Sequence, residues 1–179
     1  MKTLTLLRHA KSSWDDSVQR DLDRPLNAKG RRAAAAMGRH LRGLGMTFDH
    51  VAASPAVRVR ETLDGFASGY GALPPVAEDR QLYLASAPML LEAVHALPET
   101  AAHALLVGHN PGLEDLVLLL TPGGAEPERK AVEEKYPTAS VAELRFDVAD
   151  WRAVAAGGAT LARFIRPRDL DPTLGPDQD

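Results

Sequence analysis

Leu4-Thr5-Leu6-Leu7-Arg8-His9 is a short apolar run that stops on a cation and an imidazole. Together with Thr3, its length and residue types predict a buried strand rather than a helix, with Arg8 and His9 at its carboxyl end. The same pattern comes twice more. Residues 49–53 form a second short strand candidate, followed by Ser54-Pro55, a capping residue and then proline at the first helical position, which predicts a helix over residues 55–68. His103-Ala104-Leu105-Leu106-Val107-Gly108 is a third apolar strand, and Asn110-Pro111 opens a helix towards Leu120. Strands alternating with helices predict an α/β fold, a three-layer sandwich with a mostly parallel sheet and helices on both faces. Such sheets place ligands at the carboxyl ends of their strands, where Arg8, His9, Ser54 and His109 fall.

The remaining segments fit around this frame. Ala33, Met37, His40, Leu41 and Leu44 recur at helical spacing over residues 27–46, with Gly43 and Gly45 where a helix would stop. Residues 121–137 begin Thr121-Pro122-Gly123-Gly124 and end in charge, an excursion from the sheet that could flank the site. Residues 141–146 and 160–165 have the period of two further strands, a late hairpin that gives the sheet an antiparallel member. One domain is expected over residues 1–166. The tail, 167–179, has little to bury and is expected to fray.

Composition narrows the chemistry. The 179 residues suffice for one domain, and 45% hydrophobic with 25% charged residues is ordinary for a globular protein. A formal net charge of −3 and the lack of a basic stripe argue against nucleic acid as a partner. With no cysteine there is no disulfide framework, thiolate metal site or cysteine nucleophile. The apolar run at the N-terminus is too short for a signal peptide or a membrane span, so a cytoplasmic protein without membrane association is expected. His40, His50, His95 and His103 lack zinc-helix spacing, and no Walker-type or dinucleotide loop is present, so neither metal nor nucleotide cofactor is expected.

Arg8-His9 at a sheet's carboxyl edge outlines a phosphate site. A guanidinium fork matches phosphate oxygens, and a neutral imidazole can attack phosphorus and hold the phosphoryl group. Arg58, one turn into the second helix, can reach back to the same edge, where the helix's amino end adds positive dipole. His109 repeats the strand-to-helix geometry and could donate to a phosphoryl oxygen. Lys11 and Ser12, in the loop after His9, either touch phosphate or substrate or belong to solvated loop. Arg24, in Asp23-Arg24-Pro25-Leu26, reads as a turn residue that could orient Arg8 or the following helix. Thr138 and Ser140 either present hydroxyls to the pocket or are ordinary strand residues.

The blocks Leu7-Arg8-His9-Ala10-Lys11-Ser12-Ser13-Trp14, Asp23-Arg24-Pro25-Leu26 with Gly30, Ser54-Pro55-Ala56-Val57-Arg58 with Glu61-Thr62, and Val107-Gly108-His109-Asn110-Pro111-Gly112 resemble the histidine phosphatase superfamily. More narrowly they resemble its small SixA-type phosphohistidine phosphatases. The resemblance implies a phosphoglycerate-mutase-like fold and a metal-independent phosphatase in which His9 is the nucleophile. It implies that Arg8, Arg58 and His109 clamp the transferred group, and that the His9 nitrogen distal to the backbone attacks. The two arginines are expected to depress the His9 pKa.

Two positions depart from the superfamily pattern. Ala10 replaces the usual glycine after the histidine, and the place of a glutamate general acid falls near Leu84. An alkoxide leaving group needs a proton, whereas a protonated imidazole leaves readily from a phosphoramidate. The expected substrate is therefore phosphohistidine on a signalling or phosphotransfer protein, with Glu78 and Asp79 near enough in sequence to stand in as an acid. The alternatives are a phosphomonoesterase acting on a small phosphorylated metabolite and a phosphate-binding module without turnover.

Overall fold

The computed structural model describes residues 1–14 and 20–176. Six strands form one sheet in the order β3-β2-β4-β1-β5-β6. They are β1 (Lys2–Arg8), β2 (His50–Ala53), β3 (Val76–Glu78), β4 (His103–Gly108), β5 (Val141–Phe146) and β6 (Ala159–Ile165). β1 lies at the centre, parallel to β4 with Arg8 opposite Gly108, and antiparallel to β5 with Leu7 opposite Val141. β5 is the one strand that opposes the others, and the predicted late hairpin is its pairing with β6.

Side-chain alternation divides the core between the two faces of the sheet. Leu4, Leu6, Ala104 and Leu106 pack on one side with α3 (Ala87–His95), α4 (Gly112–Leu120) and α5 (Pro127–Glu134). Leu7, Leu105 and Val107 pack on the other with Met37 and Leu41 of α1 (Ala28–Gly43) and Val59 and Phe66 of α2 (Val57–Tyr70). The mostly parallel three-layer sandwich expected from the sequence is the fold.

Three local readings change. Ser54 does not cap α2, which starts at Val57 with Ala56 as its N-cap; its hydroxyl serves the site described below. β3 and α3 escaped the sequence reading: β3 is three exposed residues, too short and too polar in setting to show a period. The C-terminal segment is folded through residue 176. α6 (Pro167–Leu170) carries a reciprocal cap between Arg166 and Asp169, and a single 3₁₀ turn follows at Pro172–Leu174. Pro167 is buried, Leu170 packs against the α1–α2 core, and Leu174 packs near Ala10, Leu26 and Ala33. Three apolar residues spaced through a Pro-rich, charged tail gave no periodic signal. Residues 177–179 lie outside the described residues.

α1 and α2 approach at backbone contact. A Cβ at Gly38 would come within 2.1 Å of the Phe66 carbonyl oxygen, and one at Gly69 within 2.2 Å of that of Ala35. Gly38→Ala therefore forces the helices apart, and urea unfolding followed by circular dichroism should show a loss of about 1–3 kcal/mol. Gly123→Ala, where nothing lies within 4 Å, should stay within about 0.5 kcal/mol of the parent.

Candidate active site

The ends of β1 and β4 meet at one edge. The His9 N–H donates to the Gly108 carbonyl at 3.0 Å, and the Ala139 N–H donates to the carbonyls of Arg8 and His9 at 3.1 and 3.0 Å. The two histidines just past these strands come together, with ring centroids 5.3 Å apart. Both are buried, as is Arg58, which is 2% exposed.

His9 Nδ1 lies 2.7 Å from the Ala10 carbonyl oxygen. A carbonyl only accepts, so Nδ1 carries the proton of the neutral ring and Nε2, the nitrogen distal to the backbone, keeps its lone pair. Burial pushes the His9 imidazole down to about 3; the Ala10 hydrogen bond opposes this, and the charges of His109, Arg8 and Arg58 add smaller downward shifts. The sequence reading assigned that depression to the two arginines. Desolvation leads instead, because the ring sits under the sheet edge and would lose its hydration on charging.

His109 is bonded at both nitrogens. Nε2 is 2.7 Å from Ser54 Oγ, and Nδ1 is 3.3 Å from Arg58 Nη2. Burial followed by the Arg58 charge pushes this imidazole down to about 4, with Asp21 opposing. Arg58 can only donate, so Nδ1 accepts and the neutral ring carries its proton on Nε2, which donates to the Ser54 hydroxyl. The loop after His9 is tied to α2 by Thr62, whose Oγ1 accepts from the Ala10 N–H at 2.9 Å and donates to the Arg58 carbonyl at 2.6 Å.

Arg8 donates from Nη1 to the Tyr136 carbonyl at 2.8 Å. Asn110 Nδ2 donates to the same carbonyl at 3.1 Å. Arg58 donates to the Asp21 carbonyl oxygen at 2.8 Å and to its carboxylate at 3.0 Å. The Nε atoms of Arg8 and Arg58 are buried with no hydrogen-bond partner among the described residues. Buried unpaired guanidinium donors are costly, and at a strand edge they fit the oxygens of a phosphoryl group.

Asp21 was not singled out in the sequence. Its carboxylate holds Arg58, faces Arg24 Nε at 3.3 Å and accepts from the Tyr83 hydroxyl. Burial pushes this carboxyl up, but the hydrogen bonds from Tyr83 and Arg58 and the charges of Arg58 and Arg24 outweigh it, leaving it below the usual carboxylate range. Tyr83 packs edge-on against His109, 5.4 Å between centroids. Only a contact made across 62 residues singles these two out.

The supporting positions divide. Arg24 stacks on Trp14 at 3.7 Å and faces Asp21, not Arg8. Ser12 pairs through its backbone with Leu26. Lys11 and Thr138 line a hollow beside Arg8. Ser140 uses its carbonyl to accept from the Arg8 N–H at 3.1 Å, and its buried hydroxyl has no partner among the described residues. Leu84, at the expected place of the acid, is 56% exposed with φ 51°. Glu78 is held by Arg60 through two bonds of 2.6 and 2.8 Å, which lower its pKa, and Asp79 caps a 3₁₀ turn through the Gln81 N–H. Both carboxylates are thus engaged in local contacts.

Two histidines, two arginines and buried donors gather at the carboxyl edge of this sheet, an arrangement that fits the oxygens of a phosphoryl group. The histidine phosphatase superfamily (branch 1) model matches residues 4–83. An uncharacterized protein of Mycobacterium tuberculosis is 33% identical over 90% of this chain and all of its own length. A structure of a candidate phosphohistidine phosphatase SixA from Nakamurella multipartitia superposes with TM-score 0.81 at 30% identity, covering 93% of this chain and 96% of that one. The protein histidine phosphatase SixA bound to tungstate superposes with TM-score 0.78 at 22% identity, covering 94% and 99%, and so shares the fold. The chain belongs to the histidine phosphatase superfamily. Within it, the chain is of the SixA type, a phosphatase whose chemistry is carried by side chains rather than by a metal.

In the folded protein at pH 7 both His9 and His109 are neutral, while in the unfolded chain they titrate near the ordinary imidazole value of about 6.5. Below that value the unfolded chain binds protons that the folded one refuses. The stability they contribute is thus complete above about pH 6.5 and is lost as pH falls towards about 4 and 3. Urea midpoints should fall between pH 7 and pH 5, by at most about 4 kcal/mol in unfolding free energy. A His9→Gln/His109→Gln variant should flatten this profile, and an equally steep profile in that variant would contradict the assignment.

Proposed function

We propose that this chain removes phosphate from phosphohistidine on a signalling or phosphotransfer protein. The observation that carries the reading is the environment of the leaving group: Leu84 stands where a glutamate acid is expected, and Arg60 holds Glu78 ionised. A phosphoramidate whose imidazole is already protonated departs without a proton from the enzyme, which suits a site where Leu84 and an ionised Glu78 stand in the place of the acid.

In the first step His9 Nε2 attacks phosphorus in line; a new P–N bond forms, and the bond to the substrate imidazole breaks with its electron pair. In the second step water attacks, the P–Nε2 bond breaks, and inorganic phosphate leaves with the proton released from the water. Arg8, Arg58 and His109 are the donors for the equatorial oxygens, where developing charge is best stabilised by groups already in place. In the resting protein the Asp21 carboxylate sits on Arg58, which keeps a buried guanidinium paired; an entering phosphoryl group competes with it. Lys11 and Thr138 are placed on the substrate side of Arg8, whereas Arg24 acts through Asp21.

A small-molecule phosphomonoesterase is the second reading, and the cation-lined hollow beside Arg8 favours it. The two separate on substrate. With chelator present, the parent should hydrolyse a phosphohistidine-bearing protein in preference to para-nitrophenyl phosphate, and His9→Ala should abolish both activities. Preference for the ester would support the second reading, and no turnover of either would support a binding module. Glu78→Gln should leave ester hydrolysis within about twofold of the parent, because loss of a surface pair is worth little; a drop of several orders of magnitude would make Glu78 the acid and overturn the phosphoramidate argument.

A further inference from the structure

Three aromatic rings lead from the buried edge of the sheet towards solvent. His9 and His109 are buried with centroids 5.3 Å apart, and the half-buried Tyr83 stands edge-on to His109 with centroids 5.4 Å apart. The Tyr83 hydroxyl donates to Asp21 Oδ2, and the same oxygen accepts from Arg58 Nη2 at 3.0 Å. Arg58 Nη2 also lies 3.3 Å from His109 Nδ1. One guanidinium nitrogen thus bridges the carboxylate and the imidazole.

Among the described residues, Asp21 is the one carboxylate bonded to Arg8, Arg58, His9 or His109. Its side chain is 42% exposed against 2% for Arg58, so the pair reaches from the interior to the mouth of the site. Arg24 Nε faces the other carboxylate oxygen at 3.3 Å. When a phosphoryl group takes Arg58, Oδ2 keeps the Tyr83 hydroxyl and has a lone pair for a new donor. The leaving group is one bond from the phosphorus that Arg58 then holds. An ester oxygen has no N–H to offer, whereas a protonated imidazole carries one on the nitrogen not bonded to phosphorus. A carboxylate beside that ring favours its protonated form, and the hydrogen bond between the two is charge-assisted. The Tyr83 ring adds an aromatic surface for a planar group.

We propose that Asp21 and Tyr83 form the subsite for the departing imidazole, Asp21 accepting its N–H while Tyr83 holds the carboxylate and flanks the ring. This rests on the phosphohistidine reading above and adds the residues that select the leaving group. In the first step the bond from phosphorus to the substrate nitrogen breaks, with its electron pair going to that nitrogen. The proton stays on the other nitrogen, so the imidazole leaves neutral and Asp21 gains no proton. Arg58 exchanges Asp21 for a phosphoryl oxygen, and Asp21 exchanges Arg58 for the imidazole.

The test compares kcat/KM for phosphoimidazole with kcat/KM for para-nitrophenyl phosphate, as a ratio, in the parent and in two variants. Asp21→Asn should lower the ratio of phosphoimidazole to ester by roughly tenfold or more, the worth of a hydrogen bond between charged groups. Tyr83→Phe, which keeps the ring and removes the hydroxyl, should lower it by about threefold. If Asp21 only holds Arg58, both substrates lose alike, because both present the same phosphoryl group. A ratio unchanged in both variants would overturn the proposal. Should circular dichroism show Asp21→Asn unfolded, the Tyr83→Phe ratio decides alone. Failure of the underlying reading shows in the parent, as hydrolysis of the ester with no turnover of phosphoimidazole. Failure of this inference alone shows as a parent that cleaves phosphoimidazole and a ratio indifferent to both substitutions.

Discussion

The bond from the His9 N–H to the Gly108 carbonyl closes the seam between β1 and β4 one residue beyond the last strand pair. Because that seam is in register, the residue after each strand projects from the same edge, and the two imidazoles meet there although they are 100 residues apart in the chain. On the other side of β1, the Ala139 N–H takes up the carbonyls of Arg8 and His9. The His9 backbone is thus held from both neighbours. Little freedom is left for the ring, which suits an in-line attack that tolerates small errors in position poorly.

Electrostatics follow from this burial. Two guanidinium groups and two imidazoles share a small volume, and the protein answers in different ways. It keeps the imidazoles neutral by desolvation. It pairs Arg58 with Asp21 and gives Arg8 the carbonyl of Tyr136. The bonds unmade among the described residues, at the Nε atoms of both arginines, mark where an anion is worth most.

The segments that supply these groups also explain an unusual tightness in the α1–α2 layer. Arg58 must lie on the first turn of α2 and beneath the strand edge, and Thr62 one turn on must reach the loop after His9. That holds α2 close to the sheet. Gly38 and Gly69 then let α1 pack at backbone distance against it, so that the layer covering Leu7, Leu105 and Val107 is complete.

Much of this was legible in the residues alone. Apolar runs ending in Arg8-His9, Ser54 and Gly108-His109 were sufficient for the parallel sheet and for the four residues at its edge, because burial imposes a period on strands and helices and parallel strands place their carboxyl ends together. What the sequence lacked was any mark on Asp21, Tyr83, Tyr136 and the C-terminal segment. Asp21 and Tyr83 bond to each other across 62 residues, Tyr136 acts through a backbone carbonyl that any residue possesses, and Lys29 meets Gly175 only when the tail has folded over α1. The sequence by itself determined the fold class and the placing of Arg8, His9 and His109 at one strand edge, since those rest on local pattern and strand polarity. Only the tertiary structure decided the charge states, the pairing of Arg58 and the cationic hollow, because desolvation and Coulomb energy depend on distances between segments that have no neighbour relation in the chain.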